Sequence, residues 1–187
     1  MTLASKITFS RIILAPVFFI IFLLPGKEPW TVPVLCLIYL VSELSDFFDG
    51  LVARKQNEVS DFGKLFDPFA DTFTQLTCFF CFVIDGVFPA GLFLLVIYRE
   101  FSILFIRNLM LKKGITLGAR MSGKVKTVLY ICAGAAALLT DSLQRLAIFT
   151  EYIPILKTAT LIIFIISVVI SIVSFIDYLI IFKNNNK

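Results

Sequence analysis

The sequence predicts an all-α integral membrane protein: six transmembrane helices in one bundle, both termini cytoplasmic, with residues 1–187 forming a single domain. Three observations carry this. The chain is 59% hydrophobic with a mean hydropathy of +0.96, whereas a soluble domain is usually about 45–50% apolar. Its apolar residues gather into six runs. Its charges concentrate between those runs or at their ends. A core of 187 residues cannot hide so much apolar surface from water, so hydrocarbon must solvate most of it. Open strand edges leave backbone groups unpaired in lipid, so the runs must be helical.

The runs cover residues 9–24, 32–54, 66–84, 90–111, 125–140 and 158–182. Lys6 and Arg11 flank the first, which has no small-x-small cleavage pattern before Pro25-Gly26 and therefore reads as a retained span. Pro25-Gly26-Lys27-Glu28-Pro29 ends it. Asp85-Gly86 closes the third run and Lys112-Lys113-Gly114 the fourth, and residues 141–154 are expected to separate the last two. With both termini inside, the inner segments hold most of the Lys and Arg. The outer loops keep only Lys27, Arg145 and Lys157, as the positive-inside rule requires. The net charge of +4 suits an anionic membrane surface and phosphorylated ligands, and no soluble basic domain suggests nucleic acid. The four cysteines lie in apolar stretches, and Cys78-x2-Cys81 reads as small core residues. The absence of histidine removes the commonest general base and leaves acid–base work to carboxylates, Lys or Tyr.

Ionisable groups inside apolar spans are costly and mark function by default. Asp46 and Asp49 stand at the end of the second run, and Asp67 and Asp71 at the start of the third, across a short loop. Spacings of three and four put each pair on one helical face. Gly50 and Ala53 share the face of Asp46 and Asp49, and Gly63 lies four before Asp67, so small residues line the cluster. Four converging carboxylates repel strongly in low dielectric. A hard divalent cation, Mg²⁺ or Mn²⁺, would relieve that repulsion.

The full string is Asp46-x2-Asp49-Gly50-x2-Ala53-Arg54-x8-Gly63-x3-Asp67-x3-Asp71, eight fixed residues over 26 positions. It resembles the signature of the CDP-alcohol phosphatidyltransferase family at each fixed residue and spacing. The resemblance implies Asp46, Asp49 and Asp67 as metal ligands, and Asp71 as general base with a further metal contact. It implies Gly50 and Ala53 as the surface under the cytidine, Arg54 as a diphosphate contact, and Gly63 as room for the donor. Ser60 is a further candidate hydroxyl toward the nucleotide. Ser5-x2-Thr8-x2-Arg11 is similar to the family's Asn-x2-Thr-x2-Arg segment, with Ser5 in place of Asn, and adds Thr8 and Arg11 to the donor side. A homodimer in the cytoplasmic membrane, with its active site facing the cytoplasm, is also implied.

Basic residues point to the acceptor. Arg99 and Arg107 lie eight apart on one run, and Arg120, Lys124 and Lys126 precede the next. So many cations beside a metal site suit an acceptor that carries its own phosphate. Glu100 is expected as the alternative partner of Arg99. Arg99-Glu100, Arg107 and Ser122-Gly123-Lys124-Val125-Lys126-Thr127 resemble the bacterial phosphatidylglycerophosphate synthases of the family. This implies CDP-diacylglycerol and glycerol 3-phosphate as substrates in phospholipid biosynthesis. Inositol phosphate, serine or choline as acceptor, and a six-span ion or metal transporter, are the alternatives.

Overall fold

Pro25 and Gly26 break the first apolar run as expected, and Gly26 supplies the positive φ of 88° that the turn needs. The computed structural model describes residues 3–56, 61–114 and 121–184, with side chains for 8–45, 63, 66–114 and 121–183. Its helices are α1 (Leu3–Phe22), α2 (Thr31–Gln56), α3 (Asp61–Ile84), α4 (Ala90–Lys112), α5 (Met121–Arg145) and α6 (Ile153–Asn184), with a 3₁₀ turn at Thr150–Tyr152. Even the shortest, α1 with 20 residues, rises ~30 Å.

Two of these helical stretches, Met121–Arg145 and Thr150–Lys183, are each long and apolar enough among the described residues to cross a membrane. Thr8–Phe22 and Thr31–Ser45 are shorter apolar stretches. In α3 and α4 the charges of Asp67, Asp71, Arg99, Glu100 and Arg107 interrupt the apolar sequence. Large apolar side chains such as Ile13, Leu37, Phe105, Val128 and Ile155 nevertheless cover the outside of the bundle. So wide an apolar exterior marks a surface built for an apolar environment.

α5 and α6 pack along their length, and α1 packs against both α2 and α3. The core between them is aromatic. Phe79 meets Phe88, Tyr130 and Phe164 edge to face, and Phe88 stacks on Phe164. Gly134 lets α2 and α5 approach: a Cβ there would fall 2.5 Å from the Tyr39 hydroxyl oxygen. That hydroxyl donates to the Ile131 carbonyl at 2.9 Å.

The separator expected over residues 141–154 is narrower and covers residues 146–152. α5 continues through Asp141 to Arg145, and α6 starts at Ile153, with Pro154 in the first turn, where its missing N–H costs nothing. Asp141 can stay helical and buried because Arg145, one turn on, donates to its Oδ2 at 2.6 Å. Arg145 also donates to Thr31 Oγ1 and to the Phe22 carbonyl, and its guanidinium lies over the Phe22 ring. Lys27, itself at a positive φ of 48°, pairs with Asp85 and with Asp141. Arg145 and Lys27, expected as outer-loop charges, are therefore the centre of an ionic clamp. It joins α1, the α1–α2 turn, α2, the turn after α3 and α5 at one end of the bundle.

Candidate active site

At the opposite end, α3 presents Asp67 and Asp71 one turn apart. α1 packs against this stretch and brings Thr8, which is fully buried, against it. The Thr8 hydroxyl donates to Asp67 Oδ1 at 2.9 Å. Thr8 lies five residues inside α1, so it is not a helix cap, and Arg11, 2% exposed, is no surface anchor. Arg11, Ser42, Glu43, Thr74 and Gln75 line a small polar space on one side of Asp71.

A larger cavity of about 220 Å³ opens on the other side of Asp71. Four helices build it. α3 contributes Asp71 and Thr72, α4 contributes Arg99, Glu100 and Arg107, α5 contributes Lys124, Lys126 and Thr127, and α6 contributes Tyr178. Of the sequence-predicted acceptor residues, Arg99, Arg107, Lys124 and Lys126 thus share one cavity with the predicted base. Arg120 lies outside the described residues, as does Ser60. An apolar groove between α3 and α4, lined by Phe69, Phe73, Phe80 and Phe101, shares Thr72 and Leu104 with the cavity. A polar chamber continuous with an apolar groove can hold the two ends of an amphiphile.

Three of these four cations, Arg99, Lys126 and Arg107, have identifiable partners. Arg99 is 6% exposed and pairs with Glu100 at 2.8 Å, as the alternative expectation for Arg99 has it. It also donates to the Ser171 carbonyl and to Ser174 Oγ on α6. Lys126 pairs with the same Glu100 oxygen at 3.2 Å and lies over the Tyr130 ring. Arg107 lies over the Tyr178 ring, 5.9 Å from its centroid. The sequence reading did not include Tyr178, Ser171 or Ser174. Their signal is the spacing Ser167-x3-Ser171-x2-Ser174-x3-Tyr178, one polar stripe on an otherwise apolar helix. Glu43, beside Asp71, was also missed.

Asp46, Asp49, Gly50, Ala53 and Arg54 fall in the last turns of α2, and their side chains are not among those described. Only residues 57–60 separate α2 from α3, which begins at Asp61 and includes Gly63. Among the described residues no group of three or more metal-ligating side chains occurs. The described part of the expected donor set does suit a metal. Asp67 and Asp71 offer only oxygen, the donor that hard divalent cations take. The bond from Thr8 is the kind of outer contact that orients a ligating carboxylate.

The comparisons with known proteins agree on the family. The model of the CDP-alcohol phosphatidyltransferase family matches residues 1–178. A Treponema pallidum (strain Nichols) protein named CDP-diacylglycerol–glycerol-3-phosphate 3-phosphatidyltransferase is 36% identical over 144 residues, 76% of this chain and 67% of its own length. Its Bacillus subtilis (strain 168) namesake is 35% identical over 147 residues, 73% of this chain and 76% of its own length. A third, from Rickettsia felis, is 31% identical over 133 residues, 70% of this chain and 71% of its own length. This likeness sets the transporter alternative aside. The chain belongs to the CDP-alcohol phosphatidyltransferase family and is a phosphatidyltransferase.

Proposed function

We propose that the chain transfers the phosphatidyl group of CDP-diacylglycerol to glycerol 3-phosphate, releasing CMP and forming phosphatidylglycerophosphate. The observation that carries the choice of acceptor is the cavity that Asp71 shares with Arg99, Arg107, Lys124 and Lys126. The names of the relatives support the same choice. Serine and choline bring no phosphate for those cations, whereas glycerol 3-phosphate does.

In this reading the acceptor phosphate binds the cationic wall and directs its hydroxyl toward Asp71. The Asp71 carboxylate takes the hydroxyl proton as the oxygen attacks the lipid-bearing phosphorus. A bond forms between that oxygen and phosphorus, the bond to the bridging oxygen breaks, and CMP leaves. Asp46, Asp49 and Asp67, with Asp71 as a further contact, would hold Mg²⁺ or Mn²⁺. The cation would supply neutralisation of diphosphate charge. Thr8 fixes the Asp67 carboxylate for that role. Arg11, Gly50, Ala53, Arg54, Ser60 and Gly63 complete the donor side, and Arg120 joins the acceptor side.

The same proposal includes one domain of six membrane-spanning helices, with both termini and the aspartates at the cytoplasmic face, in a homodimer. Charge supports the orientation. Only Lys27, Arg145 and Lys157 fall on the outer side in this arrangement, against the many Lys and Arg of the inner segments.

Arg107→Gln tests the assignment of the acceptor. It should raise KM for glycerol 3-phosphate by about ten- to a hundredfold, the value of one charge-assisted bond. KM for CDP-diacylglycerol should stay within about twofold. Equal effects on both substrates, or none, would remove the acceptor from this cavity.

A further inference from the structure

We infer that Glu100 is a positioning residue for the acceptor phosphate: its carboxylate holds Arg99 and Lys126 in the cavity wall before the acceptor arrives. The inference rests on the reading of this cavity as the acceptor site.

Arg99 and Lys126 lie on different helices, α4 and α5, and both line the cavity. Two cations on long flexible stems, brought together away from water, repel each other and would swing toward solvent. One oxygen of Glu100 prevents this. Its Oε1 accepts from Arg99 at 2.8 Å and from Lys126 at 3.2 Å, and the Glu100 side chain is 8% exposed. The rest of the network makes the arrangement rigid. Arg99 Nε donates to the Ser171 carbonyl at 3.2 Å, and its NH2 group donates to Ser174 Oγ at 3.3 Å. Tyr130, whose ring lies under Lys126, donates its hydroxyl to Ser171 Oγ at 2.8 Å. α4, α5 and α6 are thus tied together behind the cavity.

Donors remain for a ligand. A guanidinium has five N–H groups and an ammonium three. Arg99 uses three of its five and Lys126 one of its three on these partners. What is left is pre-aimed, so phosphate binding need not first order two long side chains.

The negative charge of Glu100 works in the opposite direction, because it repels an anionic acceptor. The two effects can be separated by chemistry. Glu100→Asp keeps the charge and withdraws the carboxylate by one methylene, so it disturbs only the positioning. Glu100→Gln keeps the shape and removes the charge, so it relieves the repulsion while weakening the hold on both cations.

The test is steady-state kinetics on purified Glu100→Asp, Glu100→Gln, Lys126→Met and the Glu100→Asp/Lys126→Met pair. Unfolding temperature in detergent is measured alongside. Glu100→Asp should raise KM for glycerol 3-phosphate about tenfold, the cost of a weakened charge-assisted contact. Its KM for CDP-diacylglycerol should move less than about twofold. Glu100→Gln should raise the acceptor KM as well. In the Lys126→Met background Glu100→Asp should add clearly less than it does alone, because one of the two groups it positions is gone. An unchanged acceptor KM in Glu100→Asp, or a lowered one in Glu100→Gln, would overturn the inference, since Glu100 would then act only as an opposing charge. A parallel rise in both KM values with a fall in unfolding temperature would overturn it too, by making Glu100 merely structural. If Lys126→Met leaves the acceptor KM untouched, the acceptor reading of the cavity falls first and this inference falls with it.

Discussion

Thr8 on α1 donates its hydroxyl to Asp67 on α3, 59 residues away, at 2.9 Å and with Thr8 fully buried. The bond joins the N-terminal helix to the aspartate string and gives Thr8 a role that needs no direct contact with substrate. A carboxylate that must hold one orientation in low dielectric gains from a fixed donor, and losing such an outer partner costs about ten- to a hundredfold in metal affinity or activity. Thr8→Val keeps the shape and removes the hydroxyl. It should raise the divalent-cation concentration needed for half-maximal activity by about that factor, while Thr8→Ser should stay close to the parent. A metal titration of CMP release on the two variants reads this out.

Asp71 stands between the small polar space and the cationic cavity. As general base it should be worth about a hundredfold or more in turnover. Asp71→Asn should therefore lose turnover while retaining more CDP-diacylglycerol affinity than Asp46→Asn, Asp49→Asn or Asp67→Asn. Chelation should abolish CMP release, and Mg²⁺ or Mn²⁺ should restore it. Turnover and donor binding, measured side by side on the four variants, distinguish the roles.

Arg145 gives a prediction about stability. It is buried with three hydrogen-bonded partners at the end of the bundle away from the cavity, 19 residues beyond Lys126 and so about 28 Å along α5. Arg145→Met leaves Asp141 with Lys27 alone, and breaking a buried pair costs about 3–5 kcal/mol. The unfolding temperature in detergent should fall clearly. KM values for both substrates, measured well below that temperature, should be unchanged. A KM change without loss of stability would show that the clamp reaches the site.

Local pattern explains what could be read from the sequence. The apolar runs became the six helices because each is long enough to satisfy its own backbone. Asp46 and Asp49 fall in the last turns of α2 and Asp67 and Asp71 in the first turns of α3, and Arg99, Arg107, Lys124 and Lys126, grouped in the sequence by charge and by resemblance, line one cavity. The partners of those charges could not be read in the same way. Local sequence makes Arg145 a loop cation, yet its partners Thr31 and Phe22 are more than a hundred residues away. Glu100 could be paired with Arg99 as its neighbour in sequence, but its second partner, Lys126, comes from α5. Ser171, Ser174 and Tyr178 carry no charge, and although they form a polar stripe on a long apolar helix, that spacing alone does not tell a site from helix packing.

The cavity around Asp71 is proposed to accept a phosphate-bearing alcohol. The most direct measurement is CMP release from CDP-diacylglycerol by the purified protein, with glycerol 3-phosphate, glycerol, inositol phosphate, serine and choline offered in turn. Glycerol 3-phosphate should be used best, with product phosphatidylglycerophosphate, and glycerol, serine and choline should be poor. Preference for inositol phosphate would keep the cationic cavity and change the polyol. Preference for serine or choline would mean that the cavity does not select a phosphate-bearing acceptor.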